Sequence, residues 1–243
     1  MGKGDEAIGG FGMQLIDSLS VPERAILLLS GGIDSTTLLW ALVKANCRVT
    51  AVIVNYGQSL GKEIRIAQVN ARAAGAEDIV NPTIMMPHTP GCSIIDLQTQ
   101  IQMGRTIDEI AAETPTSYVP FRNGVFFAWA TALAEARGIT HIYGGCNGLL
   151  SGNYWDDTTQ FAAAMEKAAD AGTHPQYKPQ ILAPLATVLK KDMVKWGLAN
   201  DVDYTKTWSC YHNGEKHCGK CDSCAHRREA FTLNGLDING ARL

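Results

Sequence analysis

Ser30-Gly31-Gly32-Ile33-Asp34-Ser35 places two hydroxyls, two glycines and a carboxylate in one short run, and the chemistry that spacing suits is the holding of a polyphosphate. Paired glycines let a chain turn tightly and approach a ligand through its backbone. A helix starting at such a turn offers free N–H groups and the positive end of its dipole to an anion. Thr36 adds a further hydroxyl to those of Ser30 and Ser35. No lysine follows the glycines, so this is not the phosphate loop of the Walker-type nucleotidases. The carboxylate of Asp34 would be repelled by bare phosphate, and its place here points to a Mg²⁺ ion or to orientation of the loop. A second grouping, Cys210, Cys218, Cys221 and Cys224, has the spacing C-x7-C-x2-C-x2-C. Four thiolates close a tetrahedral Zn²⁺ site with no open position, which is a structural arrangement. An iron–sulfur cluster is the rival reading of the same four residues. His212, His217 and His226 stand nearby either as substitute ligands or as solvated loop residues.

The elements that must position these groups alternate along the chain. Ala25 to Leu29 is an apolar strand that runs into the loop, and Ser35 to Asn46 carries apolar residues at helical spacing beyond it. Arg48 to Asn55 reads as a second buried strand, Gly61 to Gly75 as a helix, and Asp78 to Met85 as a weaker third strand. Helices are expected over Thr106 to Glu113 and Gly124 to Arg137, the latter opened by Pro120-Phe121-Arg122-Asn123, with a strand over Thr140 to Gly145. A helix over Thr158 to Ala171, a strand over Gln180 to Ala183 and a helix over Lys190 to Ala199 complete the series. Such alternation implies an α/β fold, a doubly wound parallel sheet of five strands covered on both faces. From Asp201 the composition turns Cys/His-rich, so the expected division is an extension over 1–20, a nucleotide-binding domain over 21–200 and a metal-binding subdomain over 201–243. The five glycines of 1–20 suggest a flexible or weakly helical extension.

Bulk properties narrow the ligand. The chain has 243 residues, 46% of them hydrophobic, enough for one core. A net charge of −3 and a pI near 6.1 provide no basic field for duplex nucleic acid, leaving a small molecule as the expected ligand. Ala25 to Leu29 is the longest aliphatic run, far too short to cross a bilayer, and the start lacks the apolar stretch of a signal peptide, so a cytoplasmic protein with no membrane partner is expected. Glu6 stands where a myristoylation start would need Ser or Thr. In a reducing compartment the seven cysteines are not expected to form disulfides. Cys47, Cys92 and Cys146 read as small buried hydrophobes, with Cys146 the one near the proposed site.

The loop resembles the SGGxDS signature of the PP-loop ATP pyrophosphatases, which split ATP between the α and β phosphates and pass AMP to a substrate oxygen. Tyr56-Gly57-Gln58, Val119-Pro120-Phe121-Arg122-Asn123-Gly124, Pro184-Leu185 with Lys190, Thr207-Trp208-Ser209-Cys210-Tyr211 and the cysteine knuckle extend the likeness in the same order from about Arg24 to Asp237. Together they resemble the QueC family, the 7-cyano-7-deazaguanine synthases. The resemblance implies an adenine nucleotide alpha hydrolase-like fold with a structural zinc knuckle. It also implies ATP, Mg²⁺ and ammonia as co-reactants, a 7-deazaguanine carboxylate converted to amide and then nitrile in queuosine synthesis, and a homodimer. Carried onto this chain, Asp34, Arg122 and Lys190 are the expected catalytic groups, and Leu28, Ser30, Gly31, Gly32, Asp34, Ser35, Thr36 and Asn123 the expected nucleotide contacts. Tyr56, Gln58, Phe121, Tyr154 and Asp156 are the expected substrate contacts. Arg122 and Lys190 would neutralise phosphate or developing charge, and a carboxylate such as Asp156 or Asp157 suits the paired N–H donors of a guanine-like edge. Trp208 and Tyr211 either stack on a purine ring or pack the core around the metal.

Two segments depart from the family pattern. Against DxSGYPDCRxxF the chain runs from Leu150 to Phe161, keeping Tyr154, Asp156 and Phe161 but carrying Leu150, Asp157 and Thr158 where the pattern has Asp, Cys and Arg. Ser59-Leu60-Gly61-Lys62 replaces a basic, histidine-containing run. Three readings stay open: a synthase that amidates or nitrilates the deazaguanine, a paralogue of the QueC-like proteins of CBASS-type antiviral operons that joins the activated group to an amine of a partner protein, and a nucleotide-binding regulator without turnover.

Overall fold

Aliphatic side chains occupy both sides of the strand ahead of the phosphate loop, as a strand covered on two faces requires. In the computed structural model, which describes residues 13–14, 16–19, 21–58, 61–148 and 153–243, that strand is central. The strands are β1 (Arg24–Leu28), β2 (Arg48–Val52), β3 (Asp78–Val80), β4 (His141–Gly144) and β5 (Gln180–Leu182), all parallel in the order β3-β2-β1-β4-β5. The helices are α1 (Ile33–Lys44), α2 (Gly61–Ala74), α3 (Ile107–Ala112), α4 (Arg122–Arg137), α5 (Thr159–Gly172), α6 (Lys190–Ala199) and α7 (Asp222–Thr232).

Alternation along β1 assigns the faces. Ala25 and Leu27 join one core with Leu38, Leu39 and Leu42 of α1, Ala67 and Ala71 of α2, and Met193 and Trp196 of α6. Ile26 points the other way, into a core with Phe127, Ala130 and Ala134 of α4 and Ala162 of α5. The strand order reverses between β1 and β4, so the crevice beyond their carboxyl ends is the natural ligand position of this sheet. The fold is the doubly wound parallel sheet that the alternation predicts.

Two differences from expectation, in the third strand and the tail, have physical causes. The third strand ends at Val80, five residues short, where Pro82 has no N–H to donate; a single bridge between Asn55 and Thr83 continues the pairing. The tail holds a full helix, α7, where none was expected. Its buried positions are Asp222, Cys224, Arg227, Ala230 and Phe231, so polar types occupy the face that an apolar pattern would have marked. Within the extension, residues 13–14 and 16–17 are helical, in line with the weakly helical alternative, and they are packed: Ile16 is buried in the first core and Asp17 accepts a hydrogen bond from Trp196 Nε1 at 2.7 Å. Residues 1–12 lie outside the described residues. No described helix is long and apolar enough to cross a membrane.

Arg227 fastens the tail. It is fully buried, its Nε donates to the Ile238 carbonyl at 2.7 Å, and its two terminal nitrogens donate to Thr207 Oγ1 at 2.9 Å and the Tyr204 carbonyl at 3.0 Å. Burial of a guanidinium is tolerated when its donors are met in this way.

Candidate active site

The phosphate loop is tied by its own side chains. Ser30 and Ser35 hydroxyls are 3.0 Å apart, and Ser30 Oγ accepts from Gly32 N at 3.3 Å. Gly31 stands at φ +80, and a Cβ there would come within 2.9 Å of the Ala67 backbone nitrogen, so only glycine fits this approach to α2. Gly32 precedes α1 and has no side chain to cap it, which leaves the first N–H groups of the helix to a ligand. Leu28, Ser30, Gly32, Asp34 and Ser35 line a cavity of about 320 Å³ at the switch point. Gly31 and Thr36 are not among the lining residues; Thr36 is fully buried, and its Oγ1 has no partner among the described residues.

Opposite charges meet at the loop. Lys190 Nζ, at the start of α6, lies 2.8 Å from Asp34 Oδ2. Asp34 Oδ1 is buried without a partner among the described residues, a free acceptor of the kind a divalent cation takes. His226 also lines the cavity; burial, followed by the Lys190 charge, lowers its pKa to about 4.

The second wall comes from the start of α4. Arg122 donates to Tyr56 OH at 3.3 Å; burial opposes its charge, but Tyr56, Tyr154, Asp156 and Tyr211 outweigh burial and raise its pKa. Asn123 is fixed by three bonds: its N–H donates to Asp156 Oδ2 at 2.8 Å, and its Nδ2 to the Asp156 carbonyl at 2.9 Å and to Asp157 Oδ1 at 3.4 Å. Asp156 thus caps α4 and does not line the cavity, whereas Asp157 does. Phe121 is also outside the lining residues. It sits in the left-handed region at φ 53 with its ring across Gly124, where a Cβ would overlap it, and edge-on to Phe161 at 5.6 Å. Tyr56, Gln58 and Tyr154 line the cavity, Tyr154 OH lying 2.7 Å from Ser117 Oγ and Gln58 Oε1 accepting from Tyr56 N at 2.8 Å. Trp208, Tyr211 and the buried Cys146 complete that side. Leu150, Ser151, Gly152, Ser59 and Leu60 lie outside the described residues.

Glu63 was not singled out by the sequence. It lines the cavity from the first turn of α2, and burial raises its pKa to about 7 against the pull of Arg122. In sequence a lone acid in a first helical turn looks like a group placed to complement the helix dipole. Asp222 also lines the cavity, held bidentately by Arg105.

The cysteines converge beside this cavity. All four sulfur atoms lie within 4.8 Å of one another, three of the four residues are buried, and Cys218 and Cys224 sulfurs are 3.9 Å apart. Sulfurs on a tetrahedron around Zn²⁺ with bonds of about 2.3 Å stand about 3.8 Å apart, so the cluster fits that ion. Backbone N–H groups of His212 and Cys218 point at Cys210 sulfur at 3.3 Å, which suits a thiolate. The knuckle touches the loop directly, Trp208 N–H donating to the Gly31 carbonyl at 3.0 Å.

A glycine–serine turn at the switch point of a doubly wound parallel sheet, with an Asp–Lys pair over the helix start and a four-cysteine cluster behind it, defines an α/β nucleotide-binding class. Within that class the family is shown by sequence: the model described as "Queuosine biosynthesis protein QueC" matches residues 24–235, and the chain belongs to this family. It is 36% identical to the 7-cyano-7-deazaguanine synthase of Thermoplasma acidophilum over 88% of this chain and 90% of that protein. The proteins of the same name from Methanoculleus marisnigri and Clostridium kluyveri are also 36% identical, over 88% of this chain and 96% and 95% of theirs.

Proposed function

We propose that the protein is an ATP-dependent carbon–nitrogen ligase that adenylates the carboxylate of a 7-deazaguanine and passes the activated group to a nitrogen nucleophile. The observation that supports this most directly is the Asp34–Lys190 pair at the start of α1, in one cavity with Arg122 and with the family's relatives named as synthases of a deazaguanine nitrile. In this reading the substrate carboxylate oxygen attacks the α phosphorus, the bond between the α and β phosphates breaks, and pyrophosphate leaves. The free N–H groups of the loop and α1, with Ser30 and Ser35, hold the phosphates. Lys190 and Arg122 neutralise charge that builds on them. Mg²⁺, when bound at Asp34, supplies further neutralisation of the leaving pyrophosphate. Tyr56, Gln58 and Tyr154 border the ring of the substrate, and Asp156 and Phe121 support it from behind by fixing the start of α4. Ammonia then yields the amide, and a second ATP-dependent step the nitrile.

Incubation with ATP, Mg²⁺, 7-carboxy-7-deazaguanine and ammonia is expected to release AMP and pyrophosphate and give an amide, with OH exchanged for NH2, and then a nitrile lighter again by one water. ATP binding by calorimetry with no AMP under any of these conditions overturns the reading and leaves a regulator without turnover. A second reading has an amine of a partner protein as the acceptor. It is favoured by Thr158, which stands where the family pattern has Arg and whose hydroxyl caps α5 by accepting from Phe161 N at 3.1 Å. Intact-mass spectra of candidate partners distinguish the two, since the second requires a shifted partner.

A further inference from the structure

Four carboxylates line the cavity, and three are already engaged. Asp34 pairs with Lys190, Asp157 accepts from Asn123 and Asn147, and Asp222 is held by Arg105. Glu63 makes no hydrogen bond or ion pair with any described residue, and its half-buried carboxyl borders the cavity. The charged and titratable groups facing it are Arg122 from α4, Tyr56 from the segment after β2, and Cys210 from the knuckle. Lys62, its neighbour on α2, is turned to the Trp208 ring and to the carbonyls of Gly214 and Glu215.

We propose that Glu63 is the general base that takes the proton from the nitrogen nucleophile as it opens the acyl-adenylate. The inference rests on the adenylation chemistry proposed above. The lone pair of ammonia, or of an amine, forms the C–N bond to the acyl carbon, and the nitrogen becomes cationic. One proton passes from that nitrogen to the Glu63 carboxylate. The C–O bond to the adenylate breaks, its electron pair leaves on the AMP phosphate oxygen, and the neutral amide remains. Glu63 then returns its proton to solvent. An ordinary glutamate is a weak base for this transfer, whereas burial brings Glu63 to about 7, close to the pH at which it would work. Arg122 beside it is placed to meet the negative charge on the acyl oxygen. Asp157 and Asp222 could serve only by giving up partners they already hold, and the one free oxygen of Asp34 lies at the loop, where the phosphates and their cation are placed.

The test separates the two half-reactions. Substrate-dependent exchange of labelled pyrophosphate into ATP reports adenylation; amide formation, followed by mass spectrometry over about three pH units around neutrality, reports the second step. Glu63→Gln is expected to lower amide formation about 100-fold more than it lowers exchange, in the range a general base contributes. The acid limb of the wild-type profile, with its midpoint near 7, is expected to vanish in this variant, and Glu63→Asp to restore part of the rate. Amide formation by Glu63→Gln at the wild-type rate and with the wild-type profile overturns the proposal, and so does an equal fall in both half-reactions. Absence of exchange in the wild-type protein counts against the adenylation reading itself, and is thereby distinguished from a failure of the base.

Discussion

Glu63 and Gly31 show how single residues at the cavity are held in states that cost stability. Glu63 has a folded pKa of about 7 against an ordinary 4.5, so the folded state prefers its neutral form. For a raised carboxyl the stabilising contribution is whole below the unfolded pKa and is lost as pH rises through the folded one, here between about pH 4.5 and 7. The cause is burial, which outweighs the attraction of Arg122. Glu63→Gln mimics the neutral form, so its melting temperature is expected to match the wild type below about pH 4 and exceed it above about pH 7; thermal melts on the two sides check this, and an unchanged difference refutes it. Gly31 is costly in another way, since an alanine there meets both a left-handed backbone and the nitrogen of Ala67. Gly31→Ala is expected to destabilise the fold by about 1–3 kcal/mol in urea titrations. It is also expected to weaken ATP binding in calorimetry, because the loop must move away from α2 to admit the methyl group.

At the level of elements, α4 carries Arg122 and Asn123 on a first turn that is anchored from outside the helix. Asp156 supplies the acceptor for Asn123 N–H from a segment 33 residues further along the chain. Asp156→Ala removes a cap and leaves that N–H without its partner, with an expected loss of about 0.5–2 kcal/mol. The check is a lower urea midpoint at an unchanged slope, since the surface exposed on unfolding stays the same. This arrangement also explains what could be read in advance and what could not. The strand before the loop, the helix after it and Lys190 at the start of α6 follow from local pattern, because apolar period and glycine placement are properties of adjacent residues. The use of Asp156 behind α4, the unpaired state of Glu63 and the helix built around buried Arg227 depend on partners far away in sequence. The spacing of the cysteines was legible for the opposite reason: three of the four lie within one turn and helix start, so sequence distance and spatial distance nearly coincide.

For the molecule as a whole, the consequence is that the cysteine cluster and the Ser30–Ser35 loop form one mechanical unit. Trp208 N–H holds the Gly31 carbonyl, Lys62 lies 3.4 Å from the centre of the Trp208 ring, and Asn70 of α2 donates to the Lys206 carbonyl at 2.6 Å. A four-thiolate zinc site contributes binding energy of about 10–16 kcal/mol that is available only in the folded arrangement. Metal analysis of the purified protein is expected to give one zinc per chain, whereas iron would support the cluster reading. Removal of that zinc with a chelator under reducing conditions is expected to release the segment around 204–232, visible as faster amide exchange there. The sheet should keep its protection, because its two cores share no fully buried residue with the cysteine cluster and only the partly buried Tyr211 packs against both the second core and the cluster. With Trp208 free, Gly31 loses the contact that fixes its carbonyl, and ATP affinity is expected to fall about tenfold, a change of about 1.4 kcal/mol. Unchanged ATP affinity after stoichiometric metal loss would separate the two sites and confine the knuckle to holding the tail.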